Sequence, residues 1–197
     1  MTTNPVSAHQ SLLEQLAVFI QESEQILADW DAYSDQHTDL DGWPHDENTY
    51  GLRAGLRDAA TWRAFNRIRH AAKSLIATAE AQLEQLPSSR VQSRWAWQLD
   101  ALDTALDQLT GLHRDWLTAR DALPPSATPG TEAYDDALAE RNAEAWHYLN
   151  EWSLHGRALL EIHAATQDHP PHTPTPIAPS PSRAAPLSSG KATRTRR

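Results

Sequence analysis

The positions of proline constrain this chain more than any other feature. Of thirteen prolines, six fall at 5, 44, 87, 124, 125 and 129, and the other seven lie beyond residue 169. Proline has no amide hydrogen and its ring clashes with the carbonyl four residues back, so one inside a helix costs about 3 kcal/mol. Four uninterrupted stretches remain, 7–39, 46–86, 88–123 and 130–167, each long enough for one helix. No β pattern competes: apolar and polar residues do not alternate, valine occurs three times, and Ala, Leu, Gln and Glu dominate.

Apolar spacing supports the same division. In the first stretch Leu12, Leu16, Phe19, Ile20, Ile26, Leu27, Trp30 and Tyr33 recur at steps of three and four. The third carries Val91, Trp95, Leu102, Leu106, Leu109 and Trp116, and the fourth Tyr134, Leu138, Ala145, Leu149, Trp152 and Leu159. Such stripes suit bundle or coiled-coil packing. Gly156 lies on the fourth stripe, where it would let a facing tryptophan approach. Short connections at 87–88 and 124–129 make successive helices antiparallel. The expectation is an all-α, up-down-up-down four-helix bundle over residues 1–167, with helices of about 50 Å.

Charge divides the chain in two. Residues 1–167 hold 12 Lys/Arg against 25 Asp/Glu, a balance of −13, while 168–197 hold five basic residues and Asp168, a balance of +4. The body should repel nucleic acid, and only Lys191, Arg194, Arg196 and Arg197 in the tail could attract it. The tail, rich in proline and poor in large apolar side chains, is expected to be disordered. No cysteine is present, so disulfides, thiolate metal sites and thiol nucleophiles are excluded. The N-terminal apolar run is broken by Glu14, Gln15, Gln21 and Glu22, so neither a signal peptide nor a membrane span is expected there, and the chain reads as cytoplasmic.

Between the first two stretches stands DLDGWPHDENTY, residues 39–50, more chemistry than a simple connection needs. Aligned as a calcium loop on Gly42 it supplies Asp39 and Asp41, but places His37 and Asn48 where hard carboxylate ligands belong. Consecutive turns at Asp41-Gly42 and Trp43-Pro44, with Asp46 capping the next helix, explain it better. Trp43 is expected to pack inward across the bundle end. Arg53 or Arg57 is expected to reach Asp31 or Asp35, because the first stretch carries seven acids and no Lys or Arg. Further on, His147, Glu151 and His155, with Glu144, look like half of a di-metal motif, but the second E-x-x-H is missing and the set points away from the apolar stripe. No metal or other cofactor is expected.

Antiparallel folding gathers His37, Trp43, Tyr50, Arg53, Arg57, His113, Trp116, Arg120, Tyr134 and Asn142 at one end, the candidate ligand- or partner-binding set. The opposite end collects Leu12, Leu16, Leu75, Ile76, Leu83, Leu86, Val91, Leu99, Leu159 and Leu160. Extending the stripe of the second stretch backwards gives Thr61, Arg57, Ala54 and Tyr50, with Leu52 and Leu56 half a turn away. No nucleophile elbow, phosphate loop or paired-carboxylate signature supports catalysis. The leading expectation is a non-enzymatic interaction protein binding another protein through its aromatic, polar end or a helical face. The alternatives are a ligand-binding protein or enzyme with a pocket around His113, Arg57 and Tyr50, and a nucleic-acid adaptor acting through the tail.

Overall fold

The structure, a computed structural model, describes residues 5–168. Six helices follow one another: α1 (Pro5–His37), α2 (Glu47–Phe65), α3 (Ala72–Gln85), α4 (Ser93–Ala122), α5 (Glu132–His155) and α6 (Arg157–Gln167). They build the expected all-α four-helix bundle, with two of its four rods interrupted. Among the described residues there is no strand, only an isolated bridge between Thr38 and Pro44. The tail expected to be disordered, with its four basic residues, lies outside the described residues.

Proline reveals only the breaks that a missing donor enforces. Between α2 and α3 the amides of Arg67, Ile68 and Ala71 bond to carbonyls three residues back, a tightened turn that leaves Phe65, Ile68, Ala72 and Leu75 all on the buried face. The second stretch is therefore two helices, not one. The fourth is interrupted at Gly156, whose missing side chain admits Leu16 and Ile20 of α1: a Cβ there would lie 3.5 Å from a methyl of each and 2.6 Å from the Trp152 carbonyl oxygen. The residues facing Gly156 are thus aliphatic, and the expected tryptophan is not among them.

The second helical hairpin repeats the first. Leu13, Leu16 and Ile20 recur 86 residues later as Leu99, Leu102 and Leu106, and Phe65, Ile68, Ala72 and Leu75 recur 84 residues later as Leu149, Trp152, Gly156 and Leu159; all are buried. Helix neighbours obey the same exchange, α1 on α2 as α4 on α5, and α3 on α4 as α6 on α1. An approximate two-fold axis along the bundle relates the halves, with the parallel pair α2 and α5 beside it. Two relations fail: α1 packs on α5, whereas α2 and α4 have no Cα atoms within 8 Å of each other, and α5 adjoins α6, whereas the 66–71 turn parts α2 from α3.

The apolar core occupies the end that holds the 85–93 connection. No residue of α1 beyond Ser23, of α2 before Asp58, of α4 beyond Leu109 or of α5 before Arg141 is fully buried. The other end is polar and aromatic, as the distribution of side chains along the stretches implies. Val91, expected in the core, is partly exposed.

Two glycines test this packing in opposite directions. Gly156→Ala should destabilise the protein by about 1–3 kcal/mol, the usual cost of overpacking. Gly55→Ala, mid-helix with nothing within 4 Å of the added methyl, should stabilise it by about 0.8–1 kcal/mol. Urea unfolding of both variants checks the pair.

Candidate aromatic and arginine clusters

At the polar end of the core, two guanidinium groups lie between tryptophans of neighbouring helices. Arg57 of α2 has its Cζ 4.3 Å from the ring centre of Trp30 on α1 and 3.8 Å from that of Trp146 on α5. Arg141 of α5 has its Cζ 3.9 Å from Trp62 on α2 and 5.0 Å from Trp116 on α4. Helix exchange converts one set into the other. Local sequence explains why: RDAATW at 57–62 returns as RNAEAW at 141–146, and each arginine stacks on the tryptophan of the other hexapeptide. Desolvated cation–π contacts of this kind are worth about 2 kcal/mol.

The first cluster is electrically closed. Arg57 Nε and Nη2 donate to Asp58 Oδ1 at 2.8 and 2.7 Å. Asp58 is only 4% exposed, and burial raises its carboxyl above the usual range despite the opposing effect of Arg57. Around this pair Tyr50 meets Trp30 edge-on at 4.9 Å and shares a 2.9 Å hydrogen bond with Ser34, Arg53 lies over Tyr33, and His37 stacks on Tyr33 at 4.0 Å. Neither Arg53 nor Arg57 reaches Asp31 or Asp35, as had been expected, because α1 turns Trp30 and Tyr33 toward α2 and leaves those acids on its outer face. An acid of α1 instead meets a base in the turn after α2, where Arg67 and Glu22 lie 2.7 Å apart.

The second cluster is electrically open. Arg141 donates through Nε and Nη2 to Asn142 Oδ1, the amide that replaces Asp58 in the repeat. Arg141 is 7% exposed and, among the described residues, forms no ion pair; burial and the charge of Arg69 lower its pKa to about 10. His113 stacks on both Trp62 and Trp116, at 5.9 and 5.7 Å, with its buried Nδ1 unpaired. Burial first, then Arg69 and Arg141, then His70 and Arg120, lower its pKa. Tyr134 meets Trp116 edge-on, and Arg120, paired with Asp121, lies over the same ring.

The structure therefore divides the sequence-selected set. His37, Tyr50, Arg53 and Arg57 fall in the first cluster, and His113, Trp116, Arg120, Tyr134 and Asn142 in the second. Trp43 joins neither, being 69% exposed rather than packed across the end. Asp39 Oδ1 accepts from the amides of Asp41 and Trp43, Gly42 takes φ +84°, and Asp46 caps α2 through Asn48 and Thr49, so the loop closes upon itself and the indole turns outward. His147 is exposed, and His155 sits 3.3 Å from Glu151 and edge-on to Trp97. Apolar spacing alone does not mark Arg141, Trp62, Trp146 or Asp58. The repeated hexapeptide is the signal that would have found them.

His113 gives a pH dependence of known sign. Its folded pKa is depressed, so its contribution to stability is complete above about pH 6.5, the unfolded value, and is lost as pH falls through the folded value. His163, also lowered by burial, acts in the same sense, while Asp58, raised by burial, opposes both at more acidic pH. Urea unfolding should show stability falling from pH 6.5 toward 5, with a shallower fall in His113→Phe. Comparison of the chain with protein-family models, curated proteins and solved structures gives no match, so the functional reading rests on this geometry.

Proposed function

We propose that the protein is a non-enzymatic interaction module that docks an amphipathic, basic partner helix in an apolar groove between α2 and α5. One observation carries this reading. Leu52 and Leu56 are 73% and 63% exposed, and with Gly51, Gly55, Ala59, Leu138 and Ala139 they line a groove of about 1120 Å³. Paying to expose two leucines beside two glycines in mid-helix makes sense where another apolar surface closes over them. The absent side chains of Gly51 and Gly55, each with nothing within 4 Å, leave room for a helix backbone to approach.

Charge selects the occupant. Glu47 and Asp135 line the groove, Asp46 and Asp136 flank them, and the body carries the −13 balance. A second copy presenting the same acidic rim would be repelled, whereas a helix with an apolar stripe and lysine flanks complements both features. Arg57 and Arg141 stacked on indoles, and His113 stacked on Trp62 and Trp116, favour a binding role over catalysis at this end.

The test uses a fluorescent synthetic helix with leucines at i, i+3, i+4 and i+7 and lysine flanks. Anisotropy should report binding that weakens with salt, falls at least tenfold in Leu52→Glu/Leu56→Glu, and is absent for the same apolar stripe with glutamate flanks. Equal binding of both peptides, or indifference to the double substitution, would refute the reading.

A further inference from the structure

The repeat supplies an internal control for a second site, independent of the groove's occupant. In both halves an arginine lies between two tryptophans and donates through Nε and Nη2 to one oxygen of the residue that follows it. In the first half that oxygen belongs to the carboxylate of Asp58, and the charge is balanced. In the second it belongs to the neutral amide of Asn142. A buried guanidinium without a counter-charge is costly, and cation–π contact offsets only part of that cost.

Three further features accumulate at the unbalanced half alone. Arg69 stands in the 66–71 turn, bonded to Asn66 Oδ1 and beside His70, with no ion pair among the described residues; its repeat counterpart is Ser153. His113 replaces Leu27 of the first half and leaves a buried ring nitrogen unpaired. The helices on either side of the cluster, α2 and α4, have no Cα atoms within 8 Å of each other, whereas their counterparts α5 and α1 do, and side chains span the wider spacing: His113 meets Trp62 at 5.9 Å and Arg141 lies over both Trp62 and Trp116. Basic groups thus converge where the carboxylate is missing and the helices are more widely spaced.

We infer that the polar end between α2 and α4 binds a phosphoryl group, held by Arg141, Arg69 and His113. Two unpaired guanidinium charges with two imidazoles beside them call for a dianion in preference to a monocarboxylate, and planar guanidinium groups match the oxygens of a phosphoryl group. Half-exposed Arg69 and exposed His70 form the solvent side, and buried Arg141 supplies the charge at the floor. An arriving anion would raise the pKa of His113, since charge neutralisation removes the repulsion from Arg69 and Arg141 that now lowers it.

The experiment titrates the full chain with inorganic phosphate, reading melting temperature against acetate and chloride at matched ionic strength, and follows the His113 imidazole by NMR. Phosphate should raise the melting temperature by several degrees and shift the His113 pKa upward, and acetate and chloride should do neither. Asn142→Asp installs the counter-ion that the first half already contains. It should raise the melting temperature without phosphate and abolish the phosphate response, while Arg69→Gln should weaken phosphate binding about tenfold with the fold intact. A phosphate response that survives both substitutions would place the anion elsewhere, on the basic tail for example, and overturn the inference. So would an Asn142→Asp protein that is less stable than the parent.

Discussion

The polar end of this bundle depends on planar cations held against indole faces. An arginine that must leave water can be compensated by a carboxylate, by hydrogen bonds or by the negative face of an aromatic ring. Here Arg57 and Arg141 each use two tryptophans from two different helices, so the same contacts that stabilise the charge also tie α1 and α4 to the central pair α2 and α5. The arrangement separates a conventional apolar core, closed by Leu16, Phe19, Phe65, Leu102 and Trp152, from an end where Tyr50, Tyr134, His37 and His113 pack partly exposed. Without those stacks the buried guanidinium of Arg141 would be left with only the neutral amide of Asn142.

Approximate two-fold symmetry makes the departures from it meaningful. The halves differ in side-chain size within the core, where Phe19 and Trp152 correspond to Ala105 and Ile68, and volume is conserved across the pair in place of identity. They differ in charge at the polar end, where Asp58 corresponds to Asn142 and Leu27 to His113. Electrostatic and geometric departures coincide: the cluster with the extra positive charge is also the one flanked by the helix pair, α2 and α4, with no Cα atoms within 8 Å.

The groove between α2 and α5 follows from the same axis. Two parallel helices that must bring Arg57 and Arg141 to opposite neighbours direct those side chains sideways, and Leu52 and Leu56, on the far side of the α2 stripe, are left exposed beside the half-buried Leu138. Gly51 and Gly55 keep that face shallow. Acidic residues at the helix starts, Asp46 and Glu47 on α2 and Glu132 and Asp135 on α5, suit the positive ends of the helix dipoles and also set the sign of the groove's rim.

What the sequence determined by itself is the set of rods and their burial. Helix breaks imposed by proline are covalent facts, and a period near 3.6 places Leu16, Leu102 and Leu149 inward whatever their neighbours are. The cap at Asp46 and the turn at Gly42 are equally local, and both were legible because each bond spans only a few residues. The segregation of apolar and polar ends was legible too, because it requires only that successive helices be antiparallel. Tertiary structure decided the rest. The breaks at 66–71 and at Gly156 answer to packing and not to a missing donor. Whether Arg57 meets an aspartate or a tryptophan depends on how α1 is rotated about its axis, which no single helix specifies. Trp43, whose size argued for burial, faces solvent because Asp39 holds the loop in its own hydrogen bonds. That Arg141 has no counter-ion among the described residues is visible only when α2, α4 and α5 are assembled, since a missing charge is a property of the space between helices and not of any one of them.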